Sequence, residues 1–293
     1  MRFFKRHKFL TIILVLVSVF IYINYTSMLE VSVDRSSKYY TNDIYISDQR
    51  IYNNYLNEYE KKAYDELLNA IKKRTKHIKV NLADYNNEQS STIAGYFDTA
   101  NRAMMLDHPE LLQYGYISYG YGENRVNVSI HYSIDNPIVE EINTLRIRKI
   151  INDIRLRTVT MSDKEKIKYV YEWIGDNTRY DYTFTYMAKN QSIYNVFIKG
   201  NAVCAGFAKA SQVIFQNIGI ESLTVEGETT GPHMWNIIKY NGKYYFYDST
   251  VAACREKGKA GFYDGLKQEE MKDHIISNPE WYPKIEEINA LYE

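Results

Sequence analysis

Gly231-Pro232-His233-Met234-Trp235-Asn236-Ile237-Ile238-Lys239-Tyr240-Asn241-Gly242-Lys243-Tyr244-Tyr245-Phe246-Tyr247-Asp248-Ser249-Thr250 is the stretch that decides the fold. Met234 to Tyr240 is apolar and rich in β-formers, and Lys243 to Asp248 is aromatic. Asn241-Gly242 between them is the strongest short hairpin signal, because a two-residue type I′ turn needs positive φ at both positions. The turn sets the register. Tyr240 opposes Lys243, so Trp235 opposes Asp248 and His233 opposes Thr250. Side chains alternate with period two, which sends His233, Trp235, Asp248 and Thr250 to one face. His233 and Asp248 become diagonal neighbours, roughly 7–8 Å apart at the backbone, a gap that an imidazole and a carboxylate bridge. A carboxylate on one ring nitrogen orients the imidazole and stabilises its protonated form.

Upstream, Gly200-Asn201-Ala202-Val203-Cys204-Ala205-Gly206-Phe207-Ala208 opens a second element. From Cys204 the apolar residues Phe207, Ala210, Ile214 and Ile218 recur at helical spacing, Ala208 and Ser211 keep the helix slim, and Gly219 is a C-terminal stop. Cys204 is therefore expected at a helix N-terminus. Free backbone N–H groups and the positive dipole end favour a thiolate there and can donate to an oxyanion. Cysteine, histidine and carboxylate are the parts of an acyl-transfer site. Read singly, Cys204 is a small buried hydrophobe and His233 a structural strand residue; the hairpin register and the helix start, inferred independently, favour the joint reading.

These elements resemble those of the transglutaminase-like superfamily of cysteine acyltransferases and peptidases. Its bacterial members carry Gly-x-x-Val-Cys-x-Gly-Tyr/Phe-Ala, here Gly200 to Ala208. They carry a His-x-Trp-Asn strand, here His233 to Asn236, then a turn, an aromatic strand and Asp-x-Thr, here ending at Thr250. Lys164 to Tyr182 is similar to the helix and Tyr-Asp turn before the family's cysteine, with Tyr171-Glu172-Trp173 where many relatives have His-Asp-Tyr. Asp107-His108-Pro109-Glu110 is a weaker likeness. The resemblance implies an α+β, papain/transglutaminase-like core: a cysteine at a helix N-terminus, packed on an antiparallel sheet that carries the histidine and the aspartate. It implies Cys204 as nucleophile, His233 as general base and acid, and Asp248 as orienting carboxylate. The expected activity is amide acyl transfer through a Cys204 thioester to an amine or water, on a protein or peptide substrate, cell-wall peptide included. The alternative is a non-catalytic surface module that binds peptide or cell-wall material.

The rest of the chain sets the context. Arg2, Lys5, Arg6 and Lys8 precede 15 uncharged residues, Phe9 to Ile23. That is the pattern of an export signal or anchor, short for a span of about 17–25 residues. No small-x-small cleavage site follows, which favours an uncleaved single-pass anchor, N-terminus cytoplasmic and body outside; cleavage would make the protein secreted. The expected order is a basic segment 1–8, a transmembrane anchor 9–25, a stalk 26–48, a small N-terminal α+β domain 49–157, a catalytic domain 158–275 and a tail 276–293. Within it, Arg50 to Lys76 reads as one amphipathic helix, Ser91 to Met105 as a second, and Tyr114 to Tyr121 with Arg125 to Ile134 as a hairpin. Asn136-Pro137 opens a helix to about Arg157, and Ser162 with Glu165 is a capping box.

Net charge is zero, so no electrostatic case for nucleic acid exists. The 29 tyrosines read as β-propensity, with an aromatic cleft as the sharper alternative. No phosphate-binding glycine loop, calcium loop or zinc-type Cys/His spacing occurs, so neither cofactor nor metal is expected. His108 and His274 read as structural or surface residues. Cys254, six residues past Asp248, reads as an incidental thiol, with a redox link to Cys204 as the alternative.

Overall fold

The structure, a computed structural model, describes residues 44–183, 190–254 and 271–285, together with Ser18. The expected basic segment 1–8, the rest of the anchor 9–25, most of the stalk 26–48 and the end of the tail lie outside the described residues. Among the described residues no helix is long and apolar enough to cross a membrane.

The hairpin is the centre of the molecule. Asn241 and Gly242 have φ of 47° and 78°, as the type I′ turn demands. They join β7 (Pro232–Tyr240) to β8 (Lys243–Tyr247) with Tyr240 opposite Lys243 and Asn236 opposite Tyr247. Regular pairing stops there, which corrects the expectation that His233 opposes Thr250. Asp248 Oδ1 accepts from Thr250 N at 2.9 Å, a local side-chain turn that draws the chain out of the sheet. Thr250 instead opens a single helical turn, Thr250–Ala253. Outward from the hairpin, β7 pairs antiparallel with β6 (Ser222–Glu228), and β6 with β9 (Ile275–Ile276), giving the order β8-β7-β6-β9.

Both faces of this sheet are covered. Ile238, Tyr245 and Tyr247 face one core together with Phe207, Ala210, Ile214 and Ile218 of the cysteine helix. Trp235, Ile237 and Val225 face a second core, built from the N-terminal half. That half has α1 (Arg50–Tyr55), α2 (Glu58–Lys72), α3 (Ser90–Asp107) and a three-stranded sheet ordered β1-β3-β2 from β1 (His77–Asn81), β2 (Tyr114–Gly122) and β3 (Arg125–Tyr132). The single helix expected over Arg50 to Lys76 is thus two helices, α1 and α2, with a break between them. Asn57 accepts from Glu60 N and Glu60 reaches back to Asn57 N, a capping box that starts a new helix inside the expected one.

α4 (Pro137–Thr158), capped by Asn136, places Ile147, Ile151 and Ile154 in the core of the cysteine helix, whereas its position in the sequence groups it with the N-terminal domain. α5 (Asp163–Asn177) carries the Ser162/Glu165 capping box. From Ile44 onward the described residues form one compact unit. The described end of the expected stalk is docked. Ile44 and Tyr45 are buried, and Gln216 grips Ile46 by both backbone groups, at 2.9 and 2.7 Å.

Candidate active site

Cys204 is the first residue of α6 (Cys204–Ile218), which ends at Gly219 in the left-handed region, φ 82°. The first N–H groups of any helix lack intrahelical partners, so those of Cys204 and its neighbour face outward from this end. The chain reaches Cys204 through two short parallel strands. β4 (Arg179–Tyr180) pairs with β5 (Asn201–Ala202), and Asp181 N donates to Ala202 O at 2.9 Å. Asn190 supports the entry. Its carbonyl accepts from Val203 N at 3.2 Å, its side-chain amide donates to Asp181, and its side-chain oxygen accepts from Asn195 at 3.0 Å. Gly206 follows in the first turn because a Cβ there would meet Asn190 O at 3.0 Å and Ala202 Cβ at 2.9 Å. Tyr180 stands beside the thiol, stacked at an angle on Tyr182, 4.9 Å between ring centres. Burial first, and then the neighbouring Cys204, push its phenol up to about 12.

His233 is the second residue of β7 and lies over Trp235, rings 5.9 Å apart and nearly parallel. Its Nε2 is 2.9 Å from Asp248 Oδ2, and the Cys204 side chain lies near enough to the ring to favour its charged form. The three residues expected as a triad are therefore brought together in the order thiol, imidazole, carboxylate. Burial alone would push the His233 pKa down. The hydrogen bond to Asp248 and the nearness of Cys204 outweigh it and lift it to about 10. Asp248 is 3% exposed. Burial would raise its pKa, but the hydrogen bond from His233, with His274 and Thr250 beside it, holds it well below the usual carboxylate range.

His274, expected to be structural or at the surface, is at this site. Its Nε2 lies 3.5 Å from Asp248 Oδ2, and its ring meets Trp235 edge-on at 4.8 Å. Lying beyond the hairpin, just before a two-residue strand, it has no periodic signal in the sequence. Its one cue is its place in the last expected stretch of the catalytic segment. His233, Asp248 and His274 form a group of possible metal ligands whose separation along the chain hides it from any spacing motif. Of the other residues singled out, Asp107 is structural. Its carboxylate accepts from Ile51 N and Tyr52 N, both at 3.1 Å, at the start of α1. His108 pairs with Glu110 at 2.7 Å. Both cysteines are free thiols; Cys254 is exposed and lies beside Tyr182.

Residues 153–249 match the family model of the transglutaminase-like superfamily core. Among solved structures, the chain is similar to a TGase, with a TM-score of 0.35 and 15% identity over 54% of this chain and 50% of that one. It is similar to a candidate cysteine protease from Cytophaga hutchinsonii, at 0.30 and 12%, over 46% of this chain and 62% of the other. It is also similar to the periplasmic domain of TgpA from Pseudomonas aeruginosa bound to ethylmercury, at 0.29 and 15%, over 44% and 55%. In each case this chain spans less than two thirds of the other's length. No curated protein matches the sequence.

Proposed function

We propose, for a chain whose residues 153–249 carry the core of the transglutaminase-like superfamily, that it is a cysteine-dependent amide acyltransferase or peptidase. The observation that carries this reading is the position of His233, hydrogen-bonded to Asp248 at 2.9 Å and close enough to the Cys204 side chain for the two to bear on each other's charge. An imidazole so placed holds a proton for the thiol and can hand it on. The Cys204 sulfur attacks the amide carbonyl. N–H groups at the start of α6 are aimed where the oxyanion develops. The C–N bond breaks, and His233 gives its proton to the departing amine, leaving a thioester. An amine or water then takes the acyl group, with His233 accepting the incoming proton. Asp248 keeps the ring oriented throughout. The substrate in this proposal is a protein or peptide amide, reached outside the membrane that the uncharged segment 9–25 would span, with Arg2, Lys5, Arg6 and Lys8 on the cytoplasmic side.

The test is the rate of Cys204 alkylation against pH, in protein carrying Cys254→Ser, with and without His233→Ala. Reaction that persists well below about pH 8, where an ordinary thiol is unreactive, and that is lost with His233, is the expected result. A profile indifferent to His233 would overturn the acyl-transfer reading in favour of a peptide-binding module.

A further inference from the structure

One buried polar atom at the site has no role in acyl transfer. The His274 side chain is 7% exposed, and its Nδ1 is hydrogen-bonded to Asp273 Oδ1 at 2.9 Å. Its Nε2 faces Asp248 Oδ2 across a loose ion-pair contact of 3.5 Å and has no well-formed hydrogen bond among the described residues. His233 Nε2 approaches the same oxygen from the other side at 2.9 Å. The three atoms lie within 4.8 Å of one another, supplied by β7, the end of β8 and the start of β9.

We propose that His233 Nε2, His274 Nε2 and Asp248 Oδ2 form a binding site for a zinc-type divalent cation, seated between the two imidazoles. Zn²⁺ binds imidazole nitrogen and carboxylate oxygen at about 2.0–2.2 Å, so tetrahedral ligand atoms stand roughly 3.3–3.5 Å apart. The His274–Asp248 separation already has that value, and the His233–Asp248 pair needs to open by only about half an ångström. Asp273 on Nδ1 fixes the His274 ring and raises its basicity, as a carboxylate behind a metal-bound histidine does. Two imidazoles with one carboxylate suit zinc, whereas calcium and magnesium need shells made of oxygen. Three protein ligands leave the fourth position to water. On binding, the proton on His233 Nε2 leaves to solvent while the other ring nitrogen keeps its proton. The consequence for activity rests on the acyl-transfer reading: a ring held by a cation in place of a carboxylate is a poor proton donor to a departing amine, so the zinc form is an arrested form of the same site.

The test is competition for Zn²⁺ against a chromophoric chelator, using the full-length, tag-free protein with Cys254→Ser, followed by Co²⁺ substitution. One equivalent should bind, Cys204→Ser should bind about as tightly, and His274→Gln and His274→Ala should each bind at least about tenfold more weakly. The Co²⁺ form should show visible bands of a tetrahedral site and no thiolate-to-cobalt band. Retention of full affinity by both His274 variants would overturn the proposal. So would loss of binding in Cys204→Ser or a thiolate band, which would put the metal on the thiol. None of these readouts uses catalysis, so an indifferent alkylation profile would sink the acyl-transfer reading and leave the metal site standing.

Discussion

Asn236 of β7 donates its side-chain amide to the Ala208 carbonyl of α6 at 2.9 Å, in a fully buried contact. Ala208 is one helical turn, about 6 Å, from Cys204. Asn236 is three strand residues, about 10 Å, from His233. The bond therefore fixes the cysteine element against the histidine element close to where their side chains meet.

Asn236→Ala should cost about 1–3 kcal/mol, since it removes a buried hydrogen bond between helix and sheet and opens a gap there. Chemical denaturation would measure that loss. Cys204 alkylation at neutral pH should slow in the folded variant, because His233 loses its fixed distance to the thiol. An unchanged rate would mean that other contacts align the two elements.

Gly227 of β6 lies opposite His233 and is paired to Ile276 of β9. A Cβ at this position would overlap the Ile275 carbonyl and the Trp235 ring. Gly227→Ala should therefore push β9 off the sheet edge and carry His274 with it. The expected loss is about 1–3 kcal/mol, read as a fall in melting temperature with a change in the near-ultraviolet dichroism of Trp235. A stable variant with an unchanged aromatic signal would contradict this account of the edge.

The hairpin turn and the cysteine helix are legible in the sequence because their signals are local. Asn241-Gly242 imposes positive φ, and apolar residues mark the helix that Gly219 ends. The capping boxes explain both a success and an error. Ser162 and Glu165 stand at a visible boundary, whereas Asn57 and Glu60 cut a continuous amphipathic pattern that reads as one helix. The strands β6 and β9 and the position of His274 depend on pairing between distant segments, which no short window of sequence carries. Likewise Asp248 leaves the sheet through its bond to Thr250 N, a local preference that overrides the strand pattern.

The His233–Asp248 pair makes stability depend on pH in a defined direction. The His233 pKa is raised from 6.5 to about 10 on folding, so its contribution is complete below about pH 6.5 and is lost as pH rises through 10. The Asp248 pKa is depressed below 3.8, so its contribution is present above that value and lost as pH falls further. The difference in unfolding free energy between wild type and His233→Gln should therefore be flat between about pH 4 and 6.5 and shrink towards pH 10. Its plateau should be on the order of 1.5–3 kcal/mol, the value of a hydrogen bond to a charged partner. A difference that grows with pH above 6.5 would show that His233 is neutral in the folded protein.

Asn190 gives a prediction that separates site assembly from folding. It is 5% exposed, and its side chain joins Asp181, next to β4, to Asn195, while its carbonyl holds Val203 N one residue before Cys204. Asn190→Ala keeps the backbone bond and removes both side-chain bonds, so the cost should be about 1–3 kcal/mol and the core should stay folded. The freed loop should let the first turn of α6 shift relative to His233. Alkylation of Cys204 should then slow at neutral pH while far-ultraviolet dichroism stays as in the wild type. Asn190→Asp, which places a second carboxylate against Asp181, should do at least as much damage through like-charge repulsion. Adding acid to protonate one of the two should relieve part of it. Equal alkylation rates in wild type and both variants would show that the turn holding Cys204 is set by α6 alone.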